Sequence, residues 1–446
     1  IYDELDRLTD IKLNGSSTPA VEFEYDALSR RTSMTFDNGV QTDYGYEWNG
    51  NMSSIEHAFN GSDLDFAYGF NEAQQLISQT ISDNQHSWHP TVDQLLEYQI
   101  NELNQYDYAS GSCGRLYKGY NNNGCLTDDG VWRFDYDTEN NLISAENGST
   151  SVDYVYDPMN RQIQKDVNNT KTRYVYANWH RLADYDGSDT LQNRFVYGVN
   201  SNEPLIAVAA GGALTYMHAD RFGSIMSLTN NSGTVTNRYA YSPWGESNSL
   251  SGTTFGFTGQ RYDEETGLYY FKNRYYSPTL GRFLQPDPLL YEDDLNLYAY
   301  VSNSPLNYTD PTGLMKVDCC ALLEEISDLT KTVNRRAQEI KDNPLDLKEK
   351  GKMSIDSHRK ALSQLQNRLK DKLGKFARHC GDPPDEAEEA AKIDAKSLKP
   401  KPKPKPEDQK RTPPFDPIDF WPKFPNTNIP LPFPVPLGPV PVPIPI

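Results

Sequence analysis

Along most of the first three hundred residues, aromatic and β-branched side chains alternate with polar ones, the period of a half-buried strand. The stretches "FEYDALSRRTSM", "FDYDTENNLISA", "YVYDPMNRQIQK", "YDELDRLTDI" and "YVYANWHRLADY" share one plan. Each runs aromatic-x-Tyr-Asp or a close variant, then a short polar turn, then Arg or Asn, then apolar-x-apolar. "FAYGFNEAQQLI" and "YQINELNQYDY" are weaker copies. Turn residues such as "DALSR" and "DPMNR" separate the strands. The plan predicts strand–turn–strand units recurring at roughly twenty residues, each unable to bury its apolar face alone, so copies must stack into continuous sheets. Tyr suits that duty, because its ring packs on the sheet while its hydroxyl reaches a polar partner. The competing use of such Tyr rows is a surface for stacking sugars or bases.

The period changes near residue 315. Leu322, Ile326, Leu329, Val333, Ala337 and Ile340 fall at spacings of three and four, predicting an amphipathic helix over 318–342. Pro344 and Gly351 break it. Ile355, Leu362, Leu365, Leu369, Leu373 and Phe376 predict a second helix, capped by Ser354 and stopped at Gly381. The two are expected to form a helical hairpin over 315–385, which is marginal as an independent fold. A Lys/Pro linker, 386–412, and an apolar proline-rich tail, 413–446, follow. Proline at alternate positions forbids a membrane helix in that tail. It is expected to lie extended along apolar protein surface.

Charge sharpens the border. Residues 1–314 carry 42 acidic and 19 basic side chains, whereas residues 315–446 carry 20 and 24. The acidic part is a poor nucleic-acid surface, since phosphate contacts need Lys and Arg. Opposite net charges favour attraction between the parts. "IYDELDRLTD" already looks like the middle of a repeat, so the chain is read as part of a longer one with further N-terminal repeats. Five Cys are few for a disulfide framework. Cys113 and Cys125 flank one hairpin, where a bridge can form, and are expected as free thiols in a reducing cytosol. Cys319 and Cys320 are expected at the same end of the helical hairpin as Cys380, where a disulfide can form in an oxidising space. A zinc site from these thiols and His379 is disfavoured, because adjacent ligands span a tetrahedron poorly. No cofactor and no metal are expected.

The repeats resemble the YD repeats of the Rhs family, which includes the shell subunits of insecticidal Tc toxins. The likeness is sharpest in "DRFGSIMSLTNNSGTVTNRYAYSPWGE", "FGFTGQRYDEETGLYYFKNRYYSPTLGRFLQPDP" and "NLYAYVSNSPLNYTDPTGL". The resemblance implies a mainly β fold: hairpins coiled into a hollow cocoon-like shell (1–214), closed by an Rhs core plug (215–314), with the helical hairpin and tail as enclosed cargo. His218 matches the family's H-x-D-x-x-G and is expected to pack or hydrogen-bond.

Alone, "DPTG" is only a turn. The resemblance makes it a self-cleavage signal, P-x-x-x-x-D-P-x-G-L, carried by Pro305, Asp310, Pro311, Gly313 and Leu314. It implies a cut between Leu314 and Met315, on the compositional border. Metal-free cleavage needs an acid and a base, and two carboxylates close enough to share a proton serve. The family implies Asp287 in "FLQPDP" as one. Asp263 is expected as its partner, with Glu264 and Glu265 as rivals and Arg274 and Arg282 as supports.

The reading that follows is an encapsulated effector, made in a bacterial cytoplasm and delivered into competing bacteria or host cells. Its partners would be its own cargo, the preceding part of the chain, a secretion-machine component and an immunity protein. The rival readings are an uncleaved surface protein for adhesion or carbohydrate binding, and a cleaved chain whose C-terminal part is an adaptor or dimerisation element. Neither the cargo's activity nor the oligomeric state is legible.

Overall fold

The structure, a computed structural model, describes residues 1–314 apart from 6, 14, 91–96, 111–118, 201, 248–249 and 293, together with 319–342, 355–379 and 385–393. Each strand pairs antiparallel with its neighbour in sequence. A seven-stranded sheet spans Asp10–Ile11 to Leu76–Ile81, and a thirteen-stranded sheet spans Gly119–Tyr120 to Val235–Arg238. Neither closes on itself. The mainly β shell architecture is therefore an open meander of repeats.

The local physics of one repeat explains the rest. At "YDPMNRQ", Asp157 donates its N–H to the Arg161 carbonyl (2.9 Å) and accepts the Asn160 N–H at its own (2.9 Å). Asn160 sits at φ +60°, the left-handed residue that closes a three-residue hairpin loop. The Asp157 Oδ1 also accepts the N–H groups of Met159 (2.9 Å) and Arg161 (3.0 Å). Its Oδ2 holds the Arg161 guanidinium at 2.6 Å. Asp26–Arg30 and Asp3–Arg7 repeat this pairing.

The ladder shifts register at the preceding Tyr in turn after turn: Tyr25, Tyr46, Tyr136, Tyr156 and Tyr176. These bulges aim each ring across the previous repeat. The hydroxyls of Tyr136, Tyr156 and Tyr176 donate to the carbonyls of Leu126, Leu142 and Gln162 at 2.7–2.8 Å. Arg161 lies over Tyr176 (5.5 Å), as Arg30 lies over Tyr46 (4.4 Å). The Tyr rows are repeat-to-repeat joints.

The plug follows as a small four-stranded sheet: Arg261–Asp263, Leu268–Tyr270, Tyr275–Ser277 and Arg282–Phe283. Strand alternation divides it into two faces. Leu268, Tyr270 and Tyr275 pack on the repeat strands through Phe134, Val152 and Tyr154. Tyr269, Tyr276 and Phe283 pack on the opposite side with Phe257, Phe271 and Tyr300. With aromatic rings on both faces the plug is buried like a core, and a fully buried ring such as Phe283 contributes about 1.5–3 kcal/mol.

Two boundaries differ from expectation. The strand Leu214–Ala219 belongs to the thirteen-stranded sheet, so that sheet runs through the expected division at 214/215 and on to Arg238. The other difference is a third helix. Besides α1 (Cys319–Asp342) and α2 (Ile355–His379), α3 (Asp385–Lys392) occupies the start of the expected linker. Its apolar face is only Ala387, Ala390 and Ala391, which pack with Ile326, Val333, Leu362 and Leu369. Alanine is a weak hydrophobic signal but the strongest helix former. Gln366 then caps α3, donating to the carbonyls of Ala390 (3.1 Å) and Ile393 (2.7 Å). The linker beyond 393, the tail, Met315, Cys113 and Cys380 lie outside the described residues, as do the side chains of Cys319 and Cys320, so the expected disulfide lies outside them too. Cys125 is buried and free. No described helix is long and apolar enough to cross a membrane.

Candidate active site at the plug

The segment 310–314 is built like a repeat turn. Asp310 Oδ1 accepts the N–H groups of Thr312 (3.2 Å), Gly313 (2.8 Å) and Leu314 (3.1 Å). Gly313, three residues on, takes φ +72°, the position Asn160 fills in the repeat. Here glycine is required twice over, since a Cβ would also meet the Phe271 carbonyl at 2.6 Å.

Unlike a repeat turn, this one is enclosed. Asp310 is 2% exposed. The loop after Leu268–Tyr270 clamps it carbonyl by carbonyl. Lys272 Nζ (2.6 Å), Asn202 Nδ2 (3.1 Å) and Gln260 Nε2 (3.1 Å) donate to the Pro311 carbonyl. Asn273 Nδ2 donates to Thr312 (3.0 Å), and Arg274 Nε donates to Gly313.

Arg274 is the hub. Its guanidinium meets Asp287 Oδ2 at 2.7 Å and Asp310 Oδ2 at 3.5 Å. It donates to the Leu297 carbonyl (3.0 Å) and lies 3.7 Å over the Phe283 ring. Asp287 is itself a turn aspartate, accepting the Leu289 N–H at Oδ1 (2.8 Å). Burial pushes the Asp310 carboxyl up to about 6, with Arg274 and the three N–H groups working against it. Burial likewise pulls Lys272 down to about 7, with Asp310 opposing.

The structure does not bring Asp263 beside Asp287. Asp263 accepts from the Tyr275 hydroxyl (3.3 Å) and pairs with Lys165 and Arg261 at 3.4 Å each, on the face of the plug that packs on the repeats. Arg274 stacks on Phe283, on the other face. Burial would raise Asp263, but Lys165 and Arg261 outweigh it and hold the group below the usual carboxylate value. A carboxylate so held keeps its charge rather than a shared proton. Glu264 is exposed, and Glu265 pairs with Lys165 at 2.7 Å. Arg282 donates to the Asn104 carbonyl (2.8 Å) and stacks on Tyr106, away from 310–314. Pro305 is buried and Leu314 half-buried. His218 is buried among Phe36, Phe59 and His57, its Nε2 2.8 Å from Thr229 Oγ1.

Sequence reasoning singled out Asp310 as part of the cleavage motif and did not foresee that it would share Arg274 with Asp287. The signal was there: Asp287-Pro288 and Asp310-Pro311 are both Asp-Pro steps in the plug. Lys272, Asn202 and Gln260 carry no signal, for they converge only in space.

A family model described as Teneurin YD-shell matches residues 1–306. The chain is 27% identical over 304 residues to the tRNA3(Ser)-specific nuclease WapA of Bacillus spizizenii, covering 65% of this chain and 12% of that protein. It is 34% identical over 105 residues to the toxin protein Tse5 of Pseudomonas aeruginosa, covering 23% and 8%. The chain thus spans a small part of the curated relatives it matches. Among solved structures, TcdB2-TccC3 without its hypervariable C-terminal region superposes with a TM-score of 0.55 at 18% identity, over 70% of this chain and 20% of that one. At that identity the likeness is one of fold. With a meander of Tyr-Asp turns over the matched region, the chain belongs to the teneurin YD-shell family, similar in sequence to WapA and Tse5 and in fold to TcdB2-TccC3.

Proposed function

We propose that the chain cuts itself once, after Leu314, and so frees residues 315–446 as a cargo held by its own shell. The observation that carries this reading is Arg274, which joins Asp287 and Asp310 inside a buried turn ending at Leu314. This pairing replaces Asp263 with Asp310 as the second carboxylate. Asp287, ion-paired to Arg274, takes a proton from water, whose oxygen adds to the Leu314 carbonyl carbon. Asp310, raised toward neutrality, supplies the proton that the Met315 nitrogen needs to leave. The products are a Leu314 carboxylate and a Met315 amine. The clamp on 311–313 positions the bond, the contribution expected of fixed groups around a reacting centre.

A toxin role for the cargo is supported by relatives named as a nuclease and a toxin, and delivery to a target cell follows from that reading. The adhesion reading has less support, since Tyr hydroxyls in the repeats are engaged with neighbouring carbonyls. Intact masses under denaturing conditions test the proposal. Wild type should split after Leu314, and Asp287→Asn and Asp310→Asn should stay whole. A wild type of one unbroken mass, or an Asp310→Asn chain that still cuts, would sink it.

A further inference from the structure

Behind the clamp lies a cavity of about 40 Å³ whose wall includes Arg181, Arg261 and Lys272, with Asn202 and Gln260. The three cations are 4%, 5% and 7% exposed. The remaining wall is largely aromatic, and no Asp or Glu lines it. We propose that this cavity binds a chloride-sized anion.

The carboxylate partners of the two arginines stand outside the cavity wall: Asp184 reaches Arg181 (3.2 Å) and Asp263 reaches Arg261 (3.4 Å), while Lys165 has its nearer partner in Glu265 (2.7 Å). Lys272 gives its described hydrogen bonds to two neutral acceptors, Asn202 Oδ1 and the Pro311 carbonyl, at 2.6 Å each. Arg261 Nη1 is buried with no hydrogen-bond partner among the described residues. The rings favour the two guanidinium groups, Arg181 over Phe255 (4.8 Å) and Arg261 over Tyr270 (4.6 Å), but a buried cationic N–H without an acceptor remains costly. The volume suits the ligand. A water needs roughly 10–15 Å³ of such space, so the cavity has room for one monatomic ion and about one water. Burial pulls Lys272 down to about 7 against the opposing charge of Asp310, and part of its own charge is lost at neutral pH. An anion beside it restores the ammonium and its grip on the Pro311 carbonyl.

The test does not depend on whether the chain cuts itself. The whole chain is melted in chloride, bromide and gluconate at constant ionic strength. Chloride or bromide at ten times the dissociation constant should raise Tm by about 3 °C over gluconate. Crystals grown in bromide should show one anomalous peak within hydrogen-bond reach of Lys272 Nζ. Lys272→Met should lower Tm in gluconate, since it removes the hydrogen bonds to Asn202 and the Pro311 carbonyl, and should lose the halide-dependent rise. Equal melting in all three salts, a bromide peak elsewhere, or a Lys272→Met chain that keeps the rise overturns the proposal. Should that variant fail to fold, the wild-type bromide map decides alone.

Discussion

The turn at Asp157 and the turn at Asp310 use the same backbone device and end in opposite chemistry. In both, an aspartate Oδ1 gathers N–H groups of the next few residues, and the residue three on turns left-handed. At Asp157 the cation is Arg161, four residues along in the same turn. Burial raises the carboxyl, but Arg161 and the N–H groups prevail and hold it below its ordinary value. At Asp310 the cation comes from another loop, is shared with a second carboxylate, and the site is enclosed, so burial prevails and the group rises to about 6. The same turn holds its carboxyl low or lets it rise according to whether its charge partner is its own.

The widest gap between the two turns should appear in cleavage. Asp310→Asn is expected to slow the cut by at least about a hundredfold, the usual contribution of a positioned acid or base. Asp157→Asn should leave its rate unchanged, as intact mass against time will show. If both slow it equally, the turns differ in nothing but stability.

Acidity separates them next. With Asp310 as the proton donor, the cleavage rate should fall about tenfold per pH unit above 6. Stability should follow the same group. Its folded value lies above its unfolded one, so the folded state binds more protons between about 4 and 6. Stability therefore falls as pH rises through that window, by about 3 kcal/mol at most. Asp157, shifted the other way, gains stability with rising pH. In an uncut Asp287→Asn background, urea unfolding from pH 4 to 8 measures the slope, and Asp310→Asn should remove it. A slope untouched by that change assigns the titration elsewhere.

Gly313→Ala should cost about 1–3 kcal/mol and slow cleavage, through positive φ and the clash with the Phe271 carbonyl. Asn160→Ala meets the φ penalty and loses the hydrogen bond its Oδ1 accepts from Asn141 Nδ2 (3.3 Å) but has no such backbone clash, so its urea midpoint should fall less than that of Gly313→Ala. Smallest is Tyr156→Phe, which removes the hydroxyl donated to Leu142 and should cost about 1 kcal/mol without touching the cut.

Much of the shell could be read directly. Tyr156 and Asp157 announce a strand end and a turn because those roles are filled within a few residues, and Asp287 and the 310–314 turn stood out as motifs. Asp263 was expected as the partner of Asp287, with Glu264 and Glu265 as rivals, because linear distance does not say on which face of a sheet a side chain will lie. Nor could α3 be seen, its face being only alanine until α1 and α2 supply the rest of the core.

What the order of residues determined by itself was the local grammar: alternation, turn aspartates, left-handed closures and the border after Leu314. These depend on interactions spanning a handful of positions. Only the tertiary structure decided that Arg274 would join Asp287 to Asp310, that Asn202, Gln260 and Lys272 would meet on one carbonyl, and that Asp263 would be held by Lys165 and Arg261. Those contacts join distant segments, and burial, which sets their charge states, exists only once the plug is packed.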